Sequence, residues 1–358
     1  LTPRDWAANP RDLAWSCAPV TAAVVAFHRS LEGYAPSPLV ELPRVAASLG
    51  VGRVLAKDET SRFGLPAFKV LGASWAVRRA LDAGLGGGRS PITFATASDG
   101  NHGRAVARTA RLLGNRARVF VPDGVSTAAV SAIEAEGAPV TAVAGSYDLA
   151  VAAAAAFAEA EGAVLLQDTA WPGYEQVPAW IVEGYSTLFA EADEQLAAVG
   201  VTAPDLVVVP TGVGSLLQAA VTHHRSRPEP SRTAVMSVEP TVAACVLASV
   251  RAGRAVNVPT RVTTMAGLNC GTVSSLAWPV VRAGLDAAVA VDDAEAAAAA
   301  AVLRAAGVDA GPCGSAALAG AEAALTGDGA EARRAALRIG RDATVLLVVT
   351  EGSAANPG

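Results

Sequence analysis

The feature that most restricts the fold is an alternation that recurs from end to end: short β-branched runs separated by Ala- and Leu-rich stretches of helical length. Such alternation marks βαβ units and a mostly parallel sheet, because parallel neighbours need a long crossover between them. The runs predict strands at 53–57, 91–95, 117–121, 140–143, 163–167, 206–209, 234–238, 287–291 and 344–349. Helices are predicted at 67–83, 101–113, 128–136, 147–161, 177–198, 215–223 and 294–306. A chain of 358 residues exceeds the size at which single cores stop growing, so the fold class is α/β with two doubly wound open sheets. The Ala runs at 152–156 and 296–301 read as packed helices, since Ala is the best helix former.

Composition excludes several classes of partner. The net charge of −5 and the scattering of single arginines leave no basic stripe for a nucleic acid, so none is expected. No apolar stretch approaches the roughly 18 residues of a membrane span, and the opening LTPRDWAANPRDLAW carries charge where a secretory leader is apolar. A soluble, cytoplasmic enzyme is expected, with no membrane partner. The four cysteines (Cys17, Cys245, Cys270, Cys313) show no zinc spacing, so no metal is expected and free thiols are the favoured reading. Of 28 basic residues only two are lysines, Lys57 and Lys69. Chemistry that needs a lysine amine has two candidates.

Three segments carry chemical potential. In VLAKDETSRFGLPAFKVLGASWAV, Lys69 stands near a helix N-terminus, whose positive end favours a neutral, nucleophilic amine with a depressed pKa. For an arbitrary lysine there, a snorkelling side chain at a helix edge is the favoured reading, since most lysines are solvated. In ITFATASDGNHGRAVA, Ser98, Asn101 and His102 converge with backbone N–H groups at a helix start, with Asp99 among them. Taken alone, that turn is also explained as an Asx-turn with a cap. In LVVVPTGVGSLLQAA, Gly212, Val213, Gly214 and Ser215 join a strand to a helix and suit a phosphate, although no Walker or complete G-x-G-x-x-G pattern is present. A non-catalytic binding protein remains an alternative at this point, and a dehydrogenase lacks its acidic ribose partner.

A lysine, an anion-binding turn and a phosphate cradle are together the parts that hold pyridoxal phosphate. From PLVELPRVAASLGVGRVLAKDET through SRFGLPAFKVLGAS, ATASDGNHGRAVA, QDTAWPGYEQVPAWIVEGYSTL, SVEPTVAACVLASV and MAGLNCGTVSSLAWPVVR to VVTEGS, the chain resembles the fold-type II pyridoxal-phosphate enzymes, the tryptophan synthase β-subunit family. Within that family it is similar to the diaminopropionate ammonia-lyases. The resemblance implies a large discontinuous domain (1–85 and 181–358), a small inserted one (86–180) and a homodimer. It also implies α,β-elimination on a β-substituted amino acid, most simply 2,3-diaminopropionate to pyruvate and ammonia. Dehydration of serine or threonine, or β-replacement, is the alternative within the fold.

Carried over residue by residue, the resemblance makes Lys69 the Schiff-base lysine with Phe68 beside the ring. Asn101 would meet the cofactor's phenolic oxygen, Gly212, Val213, Gly214 and Ser215 its phosphate, and Thr350 its ring nitrogen. Ser98 and His102 would hold the substrate carboxylate. Asp99 and Asp168 would act on the Cα proton or the leaving amine, with Lys69 as base on the other face; without the resemblance Asp168 reads as a loop-fixing cap. Cys245 and Cys270 lie in resembling segments, so a bridge near the site mouth is conceivable, although a reducing compartment disfavours one. Trp171, Tyr174 and Trp180 are expected to pack, and Lys57 to be structural beside Asp58 and Glu59. The pattern departs at Pro66, where the subgroup usually has asparagine, and at Pro312-Cys313-Gly314-Ser315, where an acidic Glu-Ser-Gly is expected. The sequence stops soon after Asn356, so the subgroup's C-terminal extension is either absent or lies beyond these residues.

Overall fold

The computed structural model describes residues 5–227 and 232–355; residues 1–4 of the opening segment and Asn356 lie outside the described residues. Its strands are β1 (Trp6–Ala8), β2 (Leu39–Glu41), β3 (Arg53–Asp58), β4 (Thr93–Ala97), β5 (Arg116–Val121), β6 (Val140–Ala142), β7 (Val164–Leu165), β8 (Leu206–Pro210), β9 (Ala234–Pro240), β10 (Ala287–Val291) and β11 (Thr344–Val349). The α-helices are α1 (Ala23–Ser30), α2 (Pro43–Leu49), α3 (Lys69–Asp82), α4 (Asn101–Leu112), α5 (Thr127–Glu134), α6 (Tyr147–Glu161), α7 (Gln176–Ala198), α8 (Ser215–Arg225), α9 (Cys245–Ala252), α10 (Ala277–Gly284), α11 (Asp293–Ala305), α12 (Pro312–Leu325) and α13 (Ala330–Leu337).

Two sheets form, as the alternation predicts. The larger has the order β1-β10-β9-β8-β11-β3-β2 and the smaller β6-β5-β4-β7. Every pairing is parallel except the three-residue edge strands, β1 on β10 and β2 on β3. Strands β8 to β11 are buried along their whole length. That is why they read as unbroken apolar runs: helices cover both faces of the parallel sheet, and no side chain meets water. One core cluster lies on each face of this sheet, with α12 covering the second, and a small cluster packs α6 on the smaller sheet.

Four differences from the sequence reading have physical causes. The strand expected at 91–95 forms at Thr93–Ala97, because Arg116 pairs with Thr93 and sets the register from there. The ladder expected at 163–167 is confined to Val164–Leu165, and Gln167 extends the edge with its side chain, Oε1 accepting from Ala97 N at 2.9 Å. Strands β1 and β2 are too short to show periodicity. Helix α12 escapes because it is buried nearly all round and therefore has no apolar stripe to detect.

Helices α3 and α7 run between the sheets and cross at glycines. A Cβ on Gly184 would lie 2.4 Å from the Leu71 carbonyl oxygen, and one on Gly72 would lie 2.6 Å from a Tyr185 ring carbon. Behind the crossing, Lys57 is structural but pairs with neither Asp58 nor Glu59. Its Nζ donates to Glu191 at 2.7 Å, and Arg62 bridges Glu191 and Glu59, all with buried side chains. This network locks the end of β3 to α7.

Candidate active site

In open α/β sheets, side chains for chemistry collect beyond the carboxyl ends of strands where the strand order reverses. In the smaller sheet that point lies between β4 and β7, and the chain leaves these strands as Ser98-Asp99-Gly100-Asn101 and Gln167-Asp168. In the larger sheet the carboxyl ends of β8 and β11 lead into Thr211-Gly212-Val213-Gly214-Ser215 and Thr350-Glu351. All these segments line one cavity with Ala67, Phe68 and Lys69. Every expected site residue borders it: Phe68, Lys69, Ser98, Asp99, Asn101, His102, Asp168, Gly212, Val213, Gly214, Ser215 and Thr350.

Lys69 opens α3, and its Nζ donates to Asp168 Oδ2 at 2.6 Å. The sequence reading expects a depressed amine pKa; the structure reverses that. Burial pushes the ammonium down, but the Asp168 carboxylate outweighs it and holds Lys69 well above its ordinary value. Asp168 itself, despite burial, is drawn down to about 2 by Lys69. Asp99, half-buried in the same cavity, goes the opposite way: burial and the charge of Asp168 push it up to about 6. Two carboxylates in one site are thus separated into an anion held by its pairing with Lys69 and a base poised near neutrality.

The turn after β4 is organised by its own side chains. Ser98 Oγ accepts from the N–H groups of Gly100 at 2.9 Å and Gly103 at 2.8 Å, so its lone pairs are engaged and only its O–H is left to donate. His102 Nε2 donates to the Leu166 carbonyl at 2.8 Å, which leaves Nδ1 as the acceptor nitrogen of a neutral ring. That Nδ1 is buried without a hydrogen-bond partner, 4.0 Å from Asp168 Oδ2. Burial holds the imidazole below its ordinary pKa. After β8, Gly214 adopts φ +98° and caps α8, whose first N–H groups have no partners within the helix. The Ser215 hydroxyl is committed to the Asp168 carbonyl oxygen at 2.8 Å, tying the two sheets' loops together.

Glu351 is the residue that the sequence reading missed. Its side chain is buried, its Oε2 accepts from Asn101 Nδ2 at 2.6 Å and its Oε1 from Cys313 N at 3.3 Å. A carboxylate thus reaches the Pro312–Ser315 wall from the end of β11, where the motif reading looked for one within that wall. Its position two residues past β11, directly after Thr350, was the available signal. Among the cysteines all four are free, so no Cys245–Cys270 bridge forms. Trp171 stacks on Tyr174 at 4.4 Å between ring centroids, and Trp180 packs under Arg79, outside the cavity lining.

Comparison with known proteins decides the family. A profile described as "Pyridoxal-phosphate dependent enzyme" matches residues 31–351. The chain belongs to that family. As a pyridoxal-phosphate dependent enzyme it is 38% identical over 290 residues to the diaminopropionate ammonia-lyase of Salmonella typhimurium, covering 75% of this chain and 72% of that protein. The crystal structure of Escherichia coli diaminopropionate ammonia lyase in complex with an aminoacrylate-PLP azomethine reaction intermediate superposes with a TM-score of 0.90 at 32% identity, covering 98% of this chain and 94% of the other. Maize serine racemase shares the fold at a TM-score of 0.77 and 24% identity, over 94% of this chain and 93% of the racemase.

The chain's own residues fit pyridoxal phosphate. Thr350 Oγ1 is buried with no hydrogen-bond partner, the Gly214 turn opens a helix towards the cavity, and one of only two lysines stands in the same space. Among the described residues no helix is long and apolar enough to cross a membrane.

Proposed function

We propose that this chain is a diaminopropionate ammonia-lyase, converting 2,3-diaminopropionate and water to pyruvate and two molecules of ammonia by α,β-elimination followed by hydrolysis. The observation that carries the reading is the pair of differently tuned carboxylates, Asp99 and Asp168, sharing one cavity with Lys69. Lys69 would hold the cofactor's aldehyde carbon. The N–H groups of Gly212 to Ser215 at the start of α8 would hold its phosphate, Thr350 Oγ1 its ring nitrogen, and Asn101 its phenolic oxygen, with Phe68 beside the ring. When bound, the cofactor supplies an electron sink that acidifies the substrate Cα.

The remaining work falls to side chains. Asp99 takes the Cα proton of one enantiomer and Lys69 that of the other, and a base near pH 6 suits such a transfer at neutral pH. Asp168, ionised when it pairs with a cation, faces the departing β-ammonium. Ser98 O–H and His102 border the place of the substrate carboxylate. Three carboxylates line the cavity (Asp99, Asp168, Glu351) against Lys69 as the only lysine or arginine in that lining, and this acidity favours a substrate with a second ammonium group over serine or threonine. In the same reading the enzyme is a cytoplasmic homodimer whose smaller unit, near 86–180, is inserted between α3 and α7.

The experiment is a pyruvate assay on purified protein with D- and L-2,3-diaminopropionate, serine and threonine, alongside Lys69→Ala. Release of pyruvate from diaminopropionate with kcat/KM at least about tenfold above serine, and none from the variant, is expected. Preferred turnover of serine or threonine would replace the substrate assignment, and full activity in Lys69→Ala would end the scheme. Sedimentation of the native protein tests the dimer.

A further inference from the structure

The Lys69–Asp168 pair poses a chemical problem. An ammonium is not a nucleophile, and this one is held protonated by a carboxylate 2.6 Å away. For Lys69 to bond to an aldehyde, its proton must leave, and the nearest acceptor is the Asp168 Oδ2 that already binds it. Proton transfer along that hydrogen bond breaks an N–H bond and forms an O–H bond, leaving a neutral amine and a neutral carboxylic acid. The amine's lone pair accepts that new hydrogen until it is spent on the aldehyde carbon, and the buried carboxylic acid then needs another acceptor.

That acceptor is present. His102 Nδ1 lies 4.0 Å from the same oxygen, its lone pair has no donor, and its ring is locked by the Nε2 bond to the Leu166 carbonyl. A separation about 1 Å longer than a hydrogen bond is what two acceptors adopt when facing each other, and a proton on Oδ2 turns that repulsion into an attraction. We propose that His102 is a positioning residue for Asp168: it accepts the hydrogen bond of protonated Asp168 and so allows Asp168 to withdraw the proton from Lys69. The side chains of His102 and Asp168 are 4% and 8% exposed, so water does not readily take this place. The other titratable groups facing the pair are Asp99 from the turn after β4, Tyr147 from α6, Tyr185 from α7 and Cys270. Burial keeps the tyrosines and the thiol protonated, and Asp99, anionic above about pH 6, opposes a second negative charge at Asp168.

The inference rests on Lys69 as the cofactor's anchor and is independent of which amino acid is consumed. Its test is therefore cofactor uptake, not turnover. Full-length protein freed of cofactor with hydroxylamine is mixed with pyridoxal phosphate, and growth of the visible imine band is followed from pH 6 to 9 in wild type, His102→Leu, His102→Gln and Lys69→Ala. The leucine variant is expected to take up cofactor at least about tenfold more slowly at pH 7, with its pH profile displaced upward by about one unit. Glutamine, which keeps a donor for Leu166 and an acceptor for Asp168, recovers part of both and guards against a leucine variant that folds poorly. Wild-type pH profiles in both His102 variants, whatever their stability, would overturn the relay. A visible band in Lys69→Ala would instead refute the anchoring lysine, so the two failures are distinguishable.

Discussion

Replacing Gly184 by alanine tests whether the α3–α7 crossing sets the active site. An ideal Cβ there would sit 2.4 Å from the Leu71 carbonyl oxygen and 2.7 Å from the Gly72 Cα, so the clash is with backbone and no rotamer relieves it. Ordinary contact begins near 3.4 Å, so the helices must separate by roughly 1 Å, a gap at which van der Waals contacts lose up to about half their depth. Overpacking of this kind costs about 1–3 kcal/mol, and backbone involvement puts this site at the upper end, while the helix propensity gained from glycine to alanine returns about 1 kcal/mol. A net loss of about 2 kcal/mol is expected, which for a chain of this length lowers Tm by about 3 °C. The displacement also reaches Lys69, three residues before Gly72 on α3, whose bond to Asp168 is 2.6 Å long. A kcat reduction of about tenfold or more is therefore expected, because 1 Å errors at reacting groups are costly. The assay is calorimetry and steady-state kinetics beside Gly340→Ala, a site with nothing within 4 Å of the new Cβ. If Gly184→Ala matches Gly340→Ala in both Tm and kcat, the crossing does not position the lysine.

Three further outcomes are expected. Asp99 has its folded pKa raised to about 6 from the ordinary 3.8, so its contribution to stability is present below 3.8 and lost as pH rises through about 6; Asp99→Asn should raise the Tm of the cofactor-free protein at pH 8 and leave it unchanged below pH 4, and a pH-independent difference would contradict the assignment. Glu191→Gln strips the buried Lys57 and Arg62 of their shared anion and should cost about 3–5 kcal/mol by urea unfolding, whereas Glu194→Gln, at an exposed pair with Arg29, should leave the unfolding midpoint essentially where it is; similar losses from both would show that burial is not what matters. Gly214→Ala places a side chain at φ +98° with contacts of 3.2 and 3.3 Å, and should weaken pyridoxal phosphate binding by about tenfold or more in an absorbance titration, with unaltered affinity counting against the phosphate turn.

Legibility of the fold followed burial. Strands β8, β9, β10 and β11 announce themselves because both their faces are dry, and the turns after β4 and β8 because glycine and polar residues interrupt apolar runs at those points. Helix α12 is hidden by the same dryness: a helix without a wet face has no period. What the residues alone could not give is pairing at long range. Lys69 meets an aspartate 99 positions away and Lys57 a glutamate 134 positions away, so the sign of the Lys69 shift and the true partner of Lys57 depend on where α7 and β7 return in space. A local rule about helix N-termini predicted a neutral amine, and one carboxylate at 2.6 Å was enough to reverse it. Glu351 illustrates a different blind spot. Its motif was visible, but that the end of β11 lies against Asn101 is a property of strand order.

The arginine bias acquires a meaning once burial is known. Both lysines are withdrawn from the surface, Lys57 wholly inside its charge network and Lys69 with 22% of its side chain reachable, and it is through the cavity that this amine is approached. Aldehydes condense with primary amines indiscriminately, and guanidinium groups are far poorer partners for them. Among the lysine side chains of this sequence, a free aldehyde therefore finds a single productive address. The protein should load one equivalent of cofactor per chain even under a large excess and escape the random glycation that accumulates on lysine-rich surfaces.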